Sequence, residues 1–319
     1  MEDSRPVLAV DVGGTKMAVG LVEPAGRVLT WSQVPTPTGL DAEQLWRTLD
    51  ALITKILDDA AITDPGQLAG CGCGCGGPMD WPSGVVSPLN IPGWRAFPLR
   101  HRLEERLPGI TVRVHNDAIC MVAAEHWRGA GRGRDNVLGM VVSTGVGGGL
   151  VLDGRLIAGA SGNAGHIGHV VVDPDTGPPC ACGGRGCAEA IARGPALVTW
   201  AQGQGWRPDQ KDATAKDLAA DGAQGHPVGI AAMRRAGRAL GIAIASATVL
   251  CDLEVVSVGG GLSQAGPLLF DPLEEALRAH ARLEFARQVR VVPAALGQSA
   301  GLVGAAALIF AGGQYWAAD

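Results

Sequence analysis

The sequence lacks the features of a membrane or exported protein. It holds no run of about 18 consecutive apolar residues, which a membrane-spanning helix needs. Its N-terminus, MEDSRPVLAV, has no basic segment followed by a long apolar stretch, so we expect no secretory signal and a cytoplasmic location. The eight cysteines are therefore expected as thiols or metal ligands rather than disulfides. Three of them, Cys71, Cys73 and Cys75, alternate along one predicted strand, where small side chains filling a tight layer are favoured over a metal site.

The chain also has no large excess of positive or negative charge. Charged residues make up 18% of the chain and the formal net charge is -5. This mildly acidic balance argues against a dedicated nucleic-acid binder. We expect neither nucleic acid nor a membrane as a partner.

Glycine, by contrast, is abundant, with 48 residues among 319. The glycines cluster without a G-X-Y period, which excludes collagen, and clustered glycine marks backbone that bends tightly or approaches a ligand closely. Alternating strand and helix patterns predict an α/β chain, and the length predicts two domains. Three predicted strands run into glycine loops, at 13–14, 145–149 and 259–261.

Two of these loops share a pattern that suits phosphate binding. DVGGTK (11–16) and STGVGGG (143–149) each read as a strand, a glycine turn with threonine and a second strand. Such turns expose backbone N–H groups to phosphate oxygens, and Thr15 and Thr144 can add hydroxyl donors. Neither turn is a Walker A loop or a Rossmann fingerprint. One such turn alone is more often structural, but two together favour a nucleotide cradle.

A polar tip, HNDA (115–118), lies between a predicted strand and a predicted helix. Asp117 at this point is either a helix N-cap or a general base. The two roles are compatible, because a helix N-terminus favours the ionised carboxylate that a base needs.

The segment CACGGRGC (180–187) predicts a structural zinc site. It supplies Cys180, Cys182 and Cys187, and GHIGH upstream offers His166 or His169 as the fourth ligand. Three cysteines and one histidine form a closed tetrahedral set with no open position for substrate. We therefore expect the metal to hold a loop rigid. Glu189 and one of the two histidines are the candidates for functional side chains on that loop.

The motifs described above occur in an order that resembles the ROK family (repressors, open reading frames, sugar kinases). In chain order they are DVGGTK, HND, STGVGGG, GHIGH…CACGGRGCAE and VGGG. GGPMDWPSGVV…LNIPGW also resembles the family's sugar-side stretch. The resemblance implies two actin-like (ribonuclease-H-like) α/β domains that close over a cleft, in which ATP with Mg²⁺ meets a hexose. We expect a small domain of 1–117 plus 303–319, and a large domain of 118–302 with the zinc loop and the second phosphate turn.

The resemblance also implies roles for particular residues. Asp117 is expected as the base for the sugar's C6 hydroxyl, and Asp11 is expected to orient Mg²⁺ or its waters unless it is only a strand-end turn residue. The expected nucleotide contacts are Asp11, Gly13, Gly14, Thr15, Lys16, Thr144, Gly145, Gly147, Gly148, Gly260 and Gly261. The expected sugar contacts are Gly77, Asn90, Asn116, Asp117, His166, His169 and Glu189. The expected zinc ligands are His169, Cys180, Cys182 and Cys187.

One departure from the family pattern bears on the substrate. Most members carry Glu where this chain has His166, and AGHIGH instead resembles the bacterial N-acetylmannosamine kinases of the family. A neutral imidazole has one donor and one acceptor, which suits an amide at C2 of the sugar. The favoured prediction is an ATP-dependent 6-kinase of the N-acetylmannosamine or N-acetylglucosamine type.

Several alternatives stay open at this point. Glucokinase or aminodeoxyhexose kinase activity is the main one, and polyphosphate could replace ATP as the donor. A sugar-responsive regulator is a remote alternative, because the first phosphate turn begins at Asp11 and leaves no room for a DNA-binding domain before it. The family resemblance also implies a homodimer.

Overall fold

The computed structural model describes residues 4–208, 210 and 212–316. They divide into two compact units: unit 1 lies within Met1–Gly133, Gly154–Ala164 and Ala295–Asp319, and unit 2 comprises Arg134–Asp153 and Gly165–Ala294. This division differs from the boundaries expected from the sequence, since it keeps residues 118–133, 154–164 and 295–302 in unit 1. The expected split into a small and a large functional domain stays a prediction.

Strands and helices alternate through the chain. The strands are β1 (Val7–Val12), β2 (Lys16–Val22), β3 (Val28–Pro35), β4 (Gly70–Cys75), β5 (Met79–Asp80), β6 (Val85–Val86), β7 (Phe97–Pro98), β8 (Val112–Asn116), β9 (Val137–Val142), β10 (Val146–Leu152), β11 (Arg155–Leu156), β12 (Val255–Gly259) and β13 (Arg290–Pro293). The helices are α1 (Ala42–Asp59), α2 (Leu99–Arg106), α3 (Asp117–Arg128), α4 (Ala188–Ala192), α5 (Gly194–Gly203), α6 (Ala215–Ala223), α7 (Pro227–Cys251), α8 (Pro267–His280), α9 (Ala300–Phe310) and α10 (Gly312–Tyr315).

The main sheet of unit 1 has the strand order β3-β2-β1-β4-β8. Strands β1, β4 and β8 are parallel, whereas β2 runs antiparallel to both of its neighbours. In register, Asp11 lies beside Gly74, and Gly74 lies beside His115. The carboxyl ends of the three parallel strands therefore meet at one edge, where ligands commonly bind in open α/β sheets.

The two faces of β4 explain its unusual GCGCGC sequence. Cys71, Cys73 and Cys75 are fully buried in the core that includes α1, as expected for small side chains in a tight layer. The glycines between them face the other side, where a Cβ at Gly72 would overlap the carbonyl of Ala305 in α9. Glycine at these positions lets α9 approach the sheet directly.

Unit 2 repeats the arrangement of unit 1. Its strands lie in the order β10-β9-β12-β13, with β10 antiparallel to β9 and the other pairs parallel. The β9–β10 connection thus corresponds to the β1–β2 connection of unit 1. The two glycine turns found in the sequence occupy these equivalent positions, and the alternation of strands and helices confirms the expected α/β class.

Two helical patterns of the sequence predict helices that the structure contains: the long pattern of residues 226–251, and the small-residue segment SAGLVGAAALIF (299–310). Helix α7 begins after the N-cap His226 and ends at Cys251, as its pattern predicted, and α9 covers the small-residue segment near the end. Small residues let α7 approach α8, since a Cβ at Gly237 would press on the carbonyl of Leu269. Within the described ranges, no helix combines the length and the apolar character needed to cross a membrane.

Candidate active site

The polar residues at the carboxyl edge of unit 1 come from the ends of β1 and β8. Asp11 lies near the end of β1, Asn116 ends β8, and Asp117 begins α3. The N-cap of α3 is Asn116 rather than Asp117, because the Asn116 side chain accepts the Ala118 N–H at 3.0 Å. Asp117 Oδ1 accepts the same N–H at 2.8 Å, so its carboxylate lies at the positive end of the helix.

Asp11 shares this edge with Asp117 at an electrostatic cost. Burial, and then the charge of Asp117, raise the pKa of Asp11 from 3.8 to about 6, while Lys16 acts in the opposite direction. The Asp11 carboxylate also lies against Gly301 in the first turn of α9, where a Cβ would overlap it. The two carboxylates are thus near enough for the charge of one to act on the other.

We expect Asp11→Asn to stabilise the nucleotide-free protein at pH 8. The raised pKa means that the native state holds this proton more tightly than the unfolded chain. The stabilisation from Asp11 is therefore complete below about pH 3.8 and is lost as the pH rises through about 6. Asn imitates the protonated form, so the gain should be about 1–2 kcal/mol at pH 8 and should shrink as the pH falls below 6. Denaturant unfolding at pH 8 and pH 5 measures it.

The control is Asp58→Asn, at an exposed position of α1. It should shift stability by a similar small amount at both pH values. An Asp11→Asn variant that is equally stable or less stable than the parent at pH 8 would contradict the electrostatic cost assigned to Asp11.

The first glycine turn is closed by its own backbone and by Thr36. The Gly13 N–H donates to the Lys16 carbonyl at 2.9 Å, and the Thr36 hydroxyl donates to the Gly13 carbonyl at 2.6 Å. Gly14 and Thr15 at the tip are exposed. The turn is thus held from behind while its tip faces solvent, as a phosphate-binding turn requires.

Two predicted sugar contacts lie beside the groups described above. A Cβ at Gly14 would overlap the side chain of Asn90, so Asn90 packs directly on the first glycine turn. A Cβ at Gly77 would lie 3.0 Å from Asn116 Nδ2. Unit 1 therefore brings Gly77 next to Asn116, and Asn90 next to Gly14.

The second glycine turn is fixed by residues of α4 and α5. The Ser143 N–H donates to the Gly145 carbonyl at 2.8 Å, which closes the turn. The Val146 N–H donates to Glu189 Oε2 at 2.8 Å, and the Gly194 N–H donates to the Ser143 carbonyl at 2.8 Å. Ser143 and Thr144 at the tip are exposed.

Not all of the predicted nucleotide glycines belong to this turn. Gly260, with φ of +90°, packs on the backbone of Val142, and Gly261 follows it beside Ser143. Both are therefore close to the turn. Gly147 and Gly148 instead lie within β10, paired with β9.

Gly148 packs closely against neighbouring segments, and its predicted nucleotide contact stays a prediction. A Cβ there would lie 2.7 Å from Ile167 Cγ2 and 3.0 Å from the Gly165 carbonyl. The GHIGH segment (165–169) therefore packs directly against β10. This contact sets the position of both histidines relative to the strand.

The four predicted zinc ligands come together in unit 2. The side-chain donor atoms of His169, Cys180, Cys182 and Cys187 all lie within 4.8 Å of one another. Cys180 Sγ is 3.7 Å from His169 Nδ1, and Cys182 Sγ is 3.7 Å from Cys187 Sγ. Zn–S bonds of about 2.3 Å in a tetrahedron place two sulfurs about 3.8 Å apart, so these distances are those of a zinc tetrahedron and too long for a disulfide.

The thiol chemistry of this cluster also fits a cation. The pKa of Cys182 is lowered, first by a backbone hydrogen bond at Gly184 and then by the neighbouring thiols. Burial, and then the other two cysteines, raise the pKa of Cys187 to about 12. A bound metal ion would balance the charge of a thiolate set, because a coordinating thiol is deprotonated outright.

The structure separates the two histidines of GHIGH. His169 belongs to the cluster, whereas His166 is exposed with its ring 6.2 Å from that of His169. Residue spacing alone allows either histidine as the fourth ligand. The cluster contains His169, which is the ligand that the family resemblance implies. His166 therefore lies beside the metal cluster without belonging to it.

Three residues that support the site are not among those predicted from the sequence. Thr36 closes the first turn, Gly301 makes room for Asp11, and buried Glu125 accepts the Leu296 N–H at 2.9 Å ahead of α9. Only Glu125 carried a signal, since a carboxylate inside an apolar helix must find donors. The other two act across long sequence separations that no local pattern reports.

The sequence and the structure match known proteins over nearly their whole length. A model described as "ROK family" matches residues 7–311. The chain belongs to the ROK family. It is 34% identical to a glucokinase of Thermotoga maritima, over 95% of this chain and 96% of that protein. It is 35% identical to an N-acetylmannosamine kinase of Yersinia pestis, over 94% of this chain and 96% of that protein.

A solved ROK structure agrees with both the fold and the motifs. The ROK family glucokinase from Streptomyces griseus, in complex with glucose and AMPPNP, matches with a TM-score of 0.80 and 34% identity, over 95% of this chain and 98% of that chain. The family membership inferred from the motif order is therefore confirmed, and so is the α/β ROK fold. Relatives named for two different sugars stand at similar identity, so the family match alone leaves the sugar undecided.

Proposed function

We propose that this ATP-dependent ROK sugar kinase phosphorylates the C6 hydroxyl of an N-acylhexosamine of the N-acetylmannosamine or N-acetylglucosamine type. The observation that carries the proposal is His166, an exposed imidazole 6.2 Å from the ring of His169 in the thiolate cluster. The family usually has a carboxylate here, which only accepts hydrogen bonds. A neutral imidazole can donate one to an acetyl carbonyl.

Asp117 is the proposed general base. Its Oδ1 accepts the Ala118 N–H at 2.8 Å, which orients the carboxylate and favours its ionised form at the start of α3. Asp117 takes the proton of the C6 hydroxyl as the bond from that oxygen to the γ-phosphorus forms. The bond between the γ-phosphorus and the bridging oxygen breaks, and ADP leaves. Asn116, whose amide packs on Gly77, is proposed to hold a sugar hydroxyl.

The two glycine turns are proposed to hold the phosphates of ATP. The exposed tips at Gly14–Thr15 and Ser143–Thr144 offer backbone and hydroxyl donors. Asp11 is proposed to bind Mg²⁺ or its waters, since the charge of Asp117 acts on its buried carboxylate and raises its pKa. Mg²⁺, when bound, neutralises charge that develops on the phosphoryl group. Phosphoryl transfer depends mostly on positioning and electrostatics, so rigid turns serve it directly.

Zn²⁺ is proposed as a structural ion held by His169, Cys180, Cys182 and Cys187. Four protein ligands leave no position for substrate, so the ion supplies rigidity rather than Lewis-acid chemistry. Binding through Nδ1 of His169 fixes the ring, and its Nε2 is then proposed to contact the sugar.

The test of the sugar is His166→Glu. We expect this change to raise kcat/KM for glucose relative to N-acetylmannosamine by about tenfold, because it restores an acceptor for a free 2-hydroxyl and removes the donor for the acetyl carbonyl. One hydrogen bond to a neutral group is worth about 0.5–1.5 kcal/mol, and about 1.4 kcal/mol corresponds to tenfold. The measurement is kcat/KM for both sugars in wild type and variant.

Leu283→Glu is the matched control, since it adds the same charge at an exposed position of another segment of unit 2. It should leave the ratio unchanged. An unchanged ratio in His166→Glu, or a wild type that phosphorylates only glucose, would favour glucokinase activity. That second candidate is supported by the similarity to the Thermotoga maritima glucokinase.

A further inference from the structure

The carboxylate of Glu189 lies directly behind the second glycine turn. Glu189 is in α4, which begins immediately after Cys187. Its Oε2 accepts the Val146 N–H at 2.8 Å, and a Cβ at Gly145 would lie 2.8 Å from the same oxygen. A Cβ at position 145 would therefore press on this oxygen and displace the Glu189 carboxylate from Val146.

A second contact ties the other end of the turn to the same part of the chain. The Arg193 N–H donates to the Glu189 carbonyl at 3.0 Å, and the Gly194 N–H donates to the Ser143 carbonyl at 2.8 Å. Both ends of the turn are thus held by the segment from Glu189 to Gly194. In the part of the chain that the structure describes, the N–H groups of Thr144 and Gly145 donate to no protein acceptor. These are the donors left for a phosphate.

We infer that Glu189 is a positioning residue for the nucleotide: its carboxylate fixes the turn Ser143–Val146 so that the Thr144 and Gly145 N–H groups face the ATP phosphates. The inference rests on the proposed function, because it takes this turn as a phosphate-binding turn. The sugar contact predicted for Glu189 from the family resemblance then falls to Oε1, since Oε2 is occupied by Val146. One side chain would serve both substrates through different oxygens.

The test is the affinity for Mg–AMPPNP measured by calorimetry without any sugar. Glu189→Ala removes the acceptor and leaves the Val146 N–H without its partner, so Kd should rise about tenfold, and KM for ATP should rise similarly. Glu189→Gln keeps an acceptor oxygen of the same reach, so Kd should stay within about threefold of wild type. Glu284→Ala, at an exposed position of unit 2, is the control and should bind like wild type.

A double-mutant cycle separates positioning from a general loss of structure. Gly145→Ala presses a methyl group against Glu189 Oε2 and should displace it from Val146. Combining it with Glu189→Ala should add less than twofold to the effect of either change, because both break one contact. Multiplicative effects, or unchanged AMPPNP affinity in Glu189→Ala with its zinc retained, would overturn the inference.

The outcomes also distinguish this inference from the proposed function. A wild-type protein that binds no AMPPNP would overturn the phosphate-binding role of the turn and the inference together. A wild type that binds AMPPNP, with a Glu189→Ala variant that loses only sugar affinity, would overturn the inference alone. If Glu189→Ala fails to fold, Glu189→Gln decides, since AMPPNP affinity more than about threefold weaker in that variant contradicts the role of the acceptor.

Discussion

Asp117→Asn is expected to lower kcat by about 10²–10⁴-fold while sugar affinity stays within about threefold of wild type. Losing general-base assistance typically costs this much, because the amide cannot take the C6 hydroxyl proton. The local structure should survive, since an Asn oxygen can still accept the Ala118 N–H that Asp117 Oδ1 accepts now. The measurements are kcat by a coupled ADP assay and sugar Kd by calorimetry.

A matched control is Asp59→Asn, which removes an exposed carboxylate of α1 that pairs with Lys55. Exposed ion pairs contribute little, so activity should be unchanged. A kcat near the wild-type value in Asp117→Asn would disprove the assignment of the base. A large loss of sugar affinity with little change in kcat would instead limit Asp117 to substrate binding.

Cys182→Ser is expected to lower zinc affinity by at least about tenfold, because a hydroxyl is a far weaker zinc ligand than a thiolate. The wild type should hold about one zinc ion per chain, as four convergent ligands require. Cys182 is exposed, so the substitution leaves no cavity in the core. The His169 ring should lose its anchor, and sugar affinity should fall with it.

Elemental analysis of protein purified without chelators measures the metal, and competition with a chromogenic chelator measures its affinity. Cys251→Ser is the control, because this free thiol lies at the end of α7 and outside the cluster. It should keep full zinc content. Absence of zinc from the wild type, or equal affinity in Cys182→Ser, would contradict the metal site.

The elements with strong local patterns were predictable from the sequence. Helix α7 follows from a long helical pattern that ends at Cys251, and the alternation in GCGCGC follows from the two faces of a strand. The cysteine spacing predicted the metal cluster. Cys180, Cys182 and Cys187 lie in one short loop, which can place their three sulfur atoms in only a few arrangements. Both glycine turns were predicted from glycine and threonine placed directly after buried strands.

The order of these motifs determined the family. Each motif alone is weak, since a glycine turn or an N-terminal Asp of a helix occurs in many folds. The order of the motifs along one chain is specific, because it places one glycine turn at the equivalent position of each of two similar units. The sequence by itself thereby determined the ROK family and its fold, although it left the sugar open.

Only the tertiary structure decided contacts between distant parts of the chain. It made Asn116 rather than Asp117 the N-cap of α3, assigned Gly148 to packing against Gly165, and joined Glu189 to Val146. Such contacts depend on which strands become neighbours and on how closely two backbones approach. Residue spacing carries no information on either, because hydrogen bonding and close packing act on distance in space rather than on separation along the chain.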